Sequence, residues 1–520
     1  MTAKSTGRQM TVNLIASIVS FGVNVGINFF LTPYLVGNLG SEAYGFIGLA
    51  NNFVQYANVI TIALNSISGR FISIEYHRGN VEKASRIFSS VLVADIFMAA
   101  MLLVASCFIV GFVDTFLDIP NGLVSDVKIT FAITFATFIV SVITAIFTTA
   151  AFVKNRLDIN SIRDIISNLI KIAVVVGLFT VLPPELYFLA IATLVSGMFL
   201  LIANVSVKRR ILPDVKIRLR DFSFGLVKTL FMAGIWLSLS QLSGILMTGL
   251  DLLICNITLG AGMMGLLSIG KTVPTSLGNL IITIGNVFTP HFTIRYAKGD
   301  IEGLVSETKF AGKIMNLIMV VPLAIFIAFG NQFYTLWQPT KSPDEITMIQ
   351  IISIFTCLTY LFSCITQCHM LLFTVCNRLV LPVLTNLAIG FVSVVGVFIT
   401  LKFGNLGDNG VYVIAAVSSV LLSIRSVTFV PMYAAHILKQ KLTVFMPSVL
   451  RGVFSFCILF ALFAVASVFF TCTGWVSLII ICIASAAVGY ALAMPLIFTR
   501  NELARLKNIF LKKLKRRQNG

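Results

Sequence analysis

The stretch Leu169-Ile-Lys-Ile-Ala-Val-Val-Val-Gly-Leu-Phe-Thr-Val181 is apolar at nearly every position. A strand of a membrane barrel needs about 10 residues that alternate between apolar and polar, and this run does not alternate. A helix fits it, because a bilayer core of roughly 30 Å takes about 20 residues of helix to cross. Similar runs recur along all 520 residues, of which 58% are hydrophobic and 11% charged. That composition excludes a soluble globule and any large soluble domain.

About fourteen spans result, near 11–36, 44–69, 87–112, 129–152, 163–182, 186–207, 228–252, 261–291, 311–330, 347–374, 379–401, 409–437, 449–471 and 475–498. The span 261–291 is long for one crossing and 163–182 is short, which calls for tilt or extension past the bilayer. Asn13, Asn24 and Asn28 interrupt the first span, so it does not read as a cleaved leader.

Lysine and arginine placement tests this topology. With both termini cytoplasmic, three cations face outward (Lys128, Lys341, Lys402), three lie inside spans (Lys171, Lys271, Arg425), and the rest of the 38 are cytoplasmic. The net charge of +18 is therefore mainly a property of one membrane face and does not indicate nucleic-acid binding.

Sliding the sequence against itself by 220 positions brings Leu39-Gly40 and Gly45 onto Leu259-Gly260 and Gly265. It brings Tyr76, Gly79 and Glu82 onto Tyr296, Gly299 and Glu302. Asn155-Arg156-Leu157 with Asn168 resembles Asn377-Arg378-Leu379 with Asn386, with a spacing that differs by four residues. Six spans separate equivalent helices, so the halves are parallel repeats, expected to flank a central cavity. The expected organisation is an N-lobe at 1–207, a cytoplasmic connection at 208–227, a C-lobe at 228–437, two further helices at 438–498 and a basic amphipathic tail at 499–520. Leu503, Leu506, Phe510 and Leu514 share one face of that tail amid basic residues, which suits anionic membrane lipid.

Polar residues form stripes at helical spacing. Asn13, Ser17, Ser20, Asn24 and Asn28 mark the first helix, and Asn51, Gln55, Asn58 and Asn65 the second. Gln241, Gly244, Thr248 and Asp251 mark the seventh, and Thr272, Thr275, Asn279, Thr283 and Asn286 the eighth. Such stripes either glue helices together or wall a hydrated cavity, and their length on four repeat-matched helices favours the cavity. Gly22 and Gly26 predict close helix packing in the first span.

Lys171, Lys271 and Arg425 lie near mid-span, where each charge costs about 2.5 to 3.5 kcal/mol. Asp95 is the one acidic residue of comparable depth, so the mid-membrane charge is net cationic and suits an anionic ligand; the alternative is a structural ion pair such as Asp95 with Lys171. Asp251 is expected near the outer mouth. Arg70 and Arg295, at the cytoplasmic ends of the second and eighth helices, read as topology anchors or as a cationic entrance.

Gly265-Leu-Leu-Ser-Ile-Gly270-Lys271-Thr272 matches the phosphate-loop pattern literally, but it lies inside a membrane helix and lacks the strand–loop–helix context that turns backbone N–H groups toward phosphate. Cys357, Cys364 and Cys368 share a face of the tenth helix, and His369 does not complete a metal-site pattern with them. No hydrolytic constellation stands out, so neither an enzyme nor a cofactor or metal is expected.

The Asn-rich first helix, Thr32-Pro33, Leu39-Gly40 with Gly45, Gly79-Asn80 and the fourteen-span layout together resemble the polysaccharide flippases of the multidrug/oligosaccharidyl-lipid/polysaccharide exporter superfamily. The resemblance covers essentially the whole chain. It implies a multi-pass protein of a bacterial cytoplasmic membrane that translocates a lipid-linked oligosaccharide on a polyprenyl pyrophosphate carrier, by rocking of its lobes, for polysaccharide biosynthesis. On that reading Arg70 and Arg295 capture substrate at the cytoplasmic mouth, and Lys171, Lys271 and Arg425 compensate its charge centrally. The cavity lining would be Asn24, Asn28, Gln55, Asn58, Asn65, Gln241, Thr248, Asp251, Thr275, Asn279 and Asn286. The resemblance leaves open the glycan, the coupling ion and the oligomeric state. An ion-coupled drug exporter is disfavoured because the first helix has no Asp or Glu to hold a cation. The arginines characteristic of a lipid II flippase near the first two spans are not clearly reproduced. A membrane glycosyltransferase or polymerase would more often show acidic or arginine-rich external loops, which are short and poor in such groups here.

Overall fold

The computed structural model describes residues 3–499 and 502–503, without the side chains of residues 3–15, 17, 18 and 219. The described residues form helices and no strands: α1 (Ala3–His77), α2 (Val81–Phe116), α3 (Val124–Val153), α4 (Leu157–Val181), α5 (Phe188–Ile211), α6 (Phe224–Gly244), α7 (Asp251–Gly285), α8 (Thr289–Ala297), α9 (Ile301–Trp337), α10 (Pro343–Val375), α11 (Val380–Phe403), α12 (Gly410–Val427), α13 (Phe429–Ile437), α14 (Met446–Phe469) and α15 (Trp475–Ile497). The tail reading at 499–520 falls outside the described residues, apart from Thr499, Glu502 and Leu503.

By length and apolarity these helices make 12 runs able to cross a membrane. Two are too long for one crossing: a straight helix of 75 residues such as α1 would extend about 110 Å. Both long runs break at a glycine, α1 at Gly40 (φ 85°, ψ 166°) and α7 at Gly260 (φ 88°, ψ 176°). That region of backbone space is open to glycine and closed to side chains with a Cβ. Dividing the two runs there yields fourteen segments of crossing length, and the count of fourteen rests on that division.

The breaks are 220 residues apart, as the sequence repeat requires, and other local features recur with them. Asn80 and Asp300 cap α2 and α9 by accepting from the Lys83 and Gly303 amides. Gly79 and Gly299 precede these caps with positive φ. Asn155 (φ 54°) and Asn377 (φ 52°) terminate α3 and α10, each followed by an arginine amide that donates to a carbonyl five residues back.

The chain divides into two compact units at points other than the repeat boundary: residues 1–269 with 383–411, and residues 270–382 with 412–520. In unit 1, α6 is held on the second half of α1. Gly234 lies so close to Ala63 that a Cβ there would fall on its carbonyl oxygen, and the Ser238 hydroxyl donates to the Val59 carbonyl at 2.7 Å. Gly45 and Gly265 form a second close approach, with the Gly265 Cα 3.1 Å from where a Gly45 Cβ would be. Gly22 and Gly26, expected to mark tight packing, have no described atom within 4 Å of an added Cβ. Small residues permit close approach but do not supply the partner helix.

In unit 2, α9 packs against α10, α14 and α15. The C-terminal segment is tied to it by the Lys313 ammonium, which donates to both carboxylate oxygens of Glu502 at 2.7 Å. Burial pulls the Glu502 carboxyl upward, but Lys313 and the Thr499 amide and hydroxyl outweigh it and hold it below its usual value. A depressed acid contributes stability above its unfolded value of about 4.3 and loses it as pH falls through the lower folded value. Glu502→Gln is therefore expected to cost about 1 kcal/mol at neutral pH and nothing at the acid end. Thermal melts from pH 7 down to pH 3 should bring parent and variant together; a constant gap would contradict the pairing.

Candidate functional site

The stripe residues of unit 1 divide into interhelical ties and open positions. The Gln241 amide of α6 donates to Gln55 at 3.2 Å, and the Asn65 amide donates to Asp95 of α2 at 3.0 Å. Asn24 and Asn28 bond to one another at 3.0 Å, and Asn58 accepts from the Thr61 hydroxyl at 2.9 Å. The Asn13 and Ser17 side chains lie outside the described ones. Asn52 and Tyr56, which lie off the stripe, both donate to the Gly249 carbonyl, at 3.1 and 2.7 Å.

Gly249 ends a π-helical turn at Ile245–Gly249, where the Leu250 amide donates to the Ile245 carbonyl five residues back. The extra residue frees a carbonyl for side-chain donors and rotates the helix beyond it. This corrects the reading of Gln241, Gly244, Thr248 and Asp251 as one face. Gly244 and Thr248 are exposed, whereas Asp251 is turned inward to 6% exposure.

Asp95 is fully buried, and its Oδ2 has no hydrogen-bond partner. Its partner is Asn65, so the suggested Asp95–Lys171 pair is not formed. Lys171 instead borders a cavity of about 190 Å³ inside unit 1, lined by Asn51 of α1, Thr130, Thr137 and Ser141 of α3, and Thr193 of α5. Among the described residues no carboxylate or hydrogen-bonding group pairs with Lys171. The hydroxyl stripe of α3 went unread in the sequence, although Thr130, Thr134, Thr137 and Ser141 recur at helical spacing; the intervening Phe, Ile and Val make it look like lipid-facing helix.

In unit 2, Arg425 of α12 is 6% exposed. Its guanidinium carbon lies 5.6 Å from the Phe429 ring centroid, and its Nε makes no hydrogen bond. Lys271 sits partly buried in α7; the phosphate-loop lookalike Gly265–Thr272 is continuous helix there, with no loop to cradle phosphate. Thr275, Asn279 and Asn286 are exposed.

The two entrance arginines differ. Arg70 is exposed near the end of α1, whereas Arg295 binds both Glu307 and Asp300. Hydrogen bonds that it donates to Glu307 first and Asp300 second hold its guanidinium above the ordinary value, so its charge is already compensated within the unit. The repeat-equivalent of Arg295 is Glu75, paired with Lys83 at 3.1 Å and Arg78 at 3.6 Å, a cluster of opposite polarity. Cys357, Cys364 and Cys368 are buried in packing, with the Cys364 thiol donating to the Met315 carbonyl. Among the described residues no group of three or more His, Cys, Asp or Glu could hold a metal.

No family model matches the chain. It is 30% identical over 445 residues to the uncharacterized membrane protein EpsK of Bacillus subtilis (strain 168), covering 85% of this chain and 86% of EpsK. The lipid II flippase MurJ in an inward closed conformation matches 93% of this chain and 98% of its own, with a TM-score of 0.67 at 13% identity. An inward-facing multidrug resistance MATE transporter matches 82% and 99%, with a TM-score of 0.61 at 16% identity. A MOP superfamily transporter from Pyrococcus furiosus, described by the reverse polarity of its binding pocket, matches 84% and 97%, with a TM-score of 0.61 at 18% identity. At these identities the solved structures establish the fold, an all-helical membrane architecture shared by transporters and flippases. Kinship with EpsK over 85% of this chain makes it a member of the EpsK family, and its fold is the one that the MATE transporters and MurJ share.

Proposed function

We propose that the protein is a flippase that moves a polyprenyl-pyrophosphate-linked oligosaccharide across a bacterial cytoplasmic membrane by alternating access, with both termini cytoplasmic. The observation that carries this reading is a pair of deep cations, Lys171 and Arg425, that no carboxylate neutralises among the described residues. Each costs a few kcal/mol to insert, and an anionic cargo offsets that cost during transport. Exposed Arg70 serves as a capture point at the cytoplasmic mouth. Lys271 adds central charge, and the basic tail rests on anionic lipid. The exposed polar positions Thr248, Thr275, Asn279 and Asn286 contact glycan hydroxyls. Arg295 contributes less than the sequence suggested, since two carboxylates already engage it. A cationic drug would be repelled by the same deep charges.

Deleting the gene in its source organism is the direct test. Polymer export should be lost, and lipid-linked oligosaccharide should accumulate accessible from the cytoplasmic side, with drug susceptibility unchanged. Normal polymer together with drug hypersensitivity would instead support the exporter.

A further inference from the structure

The cavity beside Lys171 lies wholly within unit 1, and its hydrogen-bonding inventory is uneven. The hydroxyl protons of Thr137, Ser141 and Thr193 are donated to the Ile133, Phe138 and Leu189 carbonyls at 2.8, 2.7 and 2.8 Å, which leaves these oxygens as acceptors. The Asn51 amide donates to the Ile47 carbonyl at 2.9 Å, leaving its second N–H and its side-chain oxygen. The uncommitted donors are the Lys171 ammonium, the second Asn51 amide proton, and the hydroxyls of Thr134 and Thr130, of which Thr130 is 2% exposed and has no partner. No carboxylate lines the cavity.

A halide or simple carboxylate would satisfy the donors but face at least three acceptor oxygens. Water would satisfy the acceptors but leave the ammonium without a counter-charge inside the membrane. A ligand with several hydroxyl groups and one negative charge satisfies both sets. The volume of about 190 Å³ is below the roughly 300 to 1,000 Å³ typical of pockets for drug-sized ligands, so it suits one sugar ring at a time. A single lysine matches one negative charge better than the several of a pyrophosphate.

We infer that this cavity is a subsite for a single glycosyl unit bearing a carboxylate, which selects acidic sugars by pairing their charge with Lys171 and their hydroxyls with Asn51, Thr137, Ser141 and Thr193. The inference rests on the flippase reading and gives Lys171 sugar selection in place of general charge compensation.

Saturation-transfer difference NMR on the full chain in lipid nanodiscs tests it, with sodium glucuronate, glucose and sodium acetate as probes. Glucuronate should bind about tenfold or more tighter than glucose or acetate. Lys171→Gln should reduce glucuronate to the glucose level without changing glucose, and Lys171→Arg should restore part of the difference. Thr130→Val should weaken both sugars while the melting temperature holds or rises, because the deleted hydroxyl has no protein partner. Acetate competing as well as glucuronate would show an anion site only, and undiminished glucuronate binding by Lys171→Gln would place the site elsewhere; either result overturns the proposal. A parent that restores polymer export in a deletion strain but does not bind glucuronate loses the subsite and keeps the flippase reading. Glucuronate binding by a protein whose deletion leaves export intact removes the flippase reading instead.

Discussion

Gly234→Ala is expected to abolish accumulation of folded protein. The added methyl would fall on the backbone carbonyl oxygen of Ala63, which no rotamer change can clear, so α6 must move away from α1. That displacement would stretch the neighbouring ties, Ser238 to the Val59 carbonyl and Gln241 to Gln55. Overpacking costs about 1 to 3 kcal/mol where side chains can yield, and a backbone collision lies at or beyond the upper end. Gly22→Ala is the control: no described atom lies within 4 Å of the added methyl, so the change should be neutral or stabilising by up to about 1 kcal/mol through helix propensity. Fluorescence-detected size exclusion would report both. Equal monodisperse yields for the two variants would refute the close α1–α6 contact.

Arg425→Gln is expected to reduce polymer export by tenfold to about a hundredfold while the protein accumulates normally. The guanidinium is 6% exposed, and its visible compensation is the Phe429 ring, worth about 0.5 to 2 kcal/mol. That falls short of the insertion cost of about 2.5 to 3.5 kcal/mol, which leaves the charge poised for a partner that arrives with the cargo. Losing a charge-assisted contact of about 1.5 to 3 kcal/mol gives the stated range. A structural anchor predicts the reverse pattern, a lowered melting temperature with the surviving protein still active. Export should be normalised to membrane protein level, with Lys439→Gln as a control and Arg425→Lys expected to retain part of the activity. Parental export by Arg425→Gln at parental abundance would remove this residue from the substrate path.

Most of the helix layout was legible because lipid imposes length and apolarity on every crossing, and the gaps left between spans at 36–44 and 252–261 contain the two glycines, Gly40 and Gly260, at which the long helices break. Helical periodicity also located the side chains that join α1 to α2 and α6, although it could not say which would be spent on glue. It failed where its premise failed: the π turn at Ile245–Gly249 shifts the phase, so spacing alone misplaced Asp251. Partners across space were the least legible. Asp95 met Asn65 rather than Lys171, and Arg295 met two carboxylates that the sequence left unassigned to it. The α3 hydroxyls could have been found by the same counting that found the asparagines, since their spacing is as regular.

The matched punctuation of the two halves bears on ancestry. Gly40 and Gly260 share one backbone conformation, and Asn155 and Asn377 close equivalent helices with the same left-handed turn. On the fourteen-span reading an even number of crossings separates equivalents, so a half-length ancestor would have needed one orientation in the membrane, and two identical copies could have assembled before fusion. No dual-topology stage is required. Fusion would release the copies from identity, and the ion clusters centred on Glu75 and on its counterpart Arg295 carry opposite charge at their centres, a difference that a homodimer encoded by one gene could not reach.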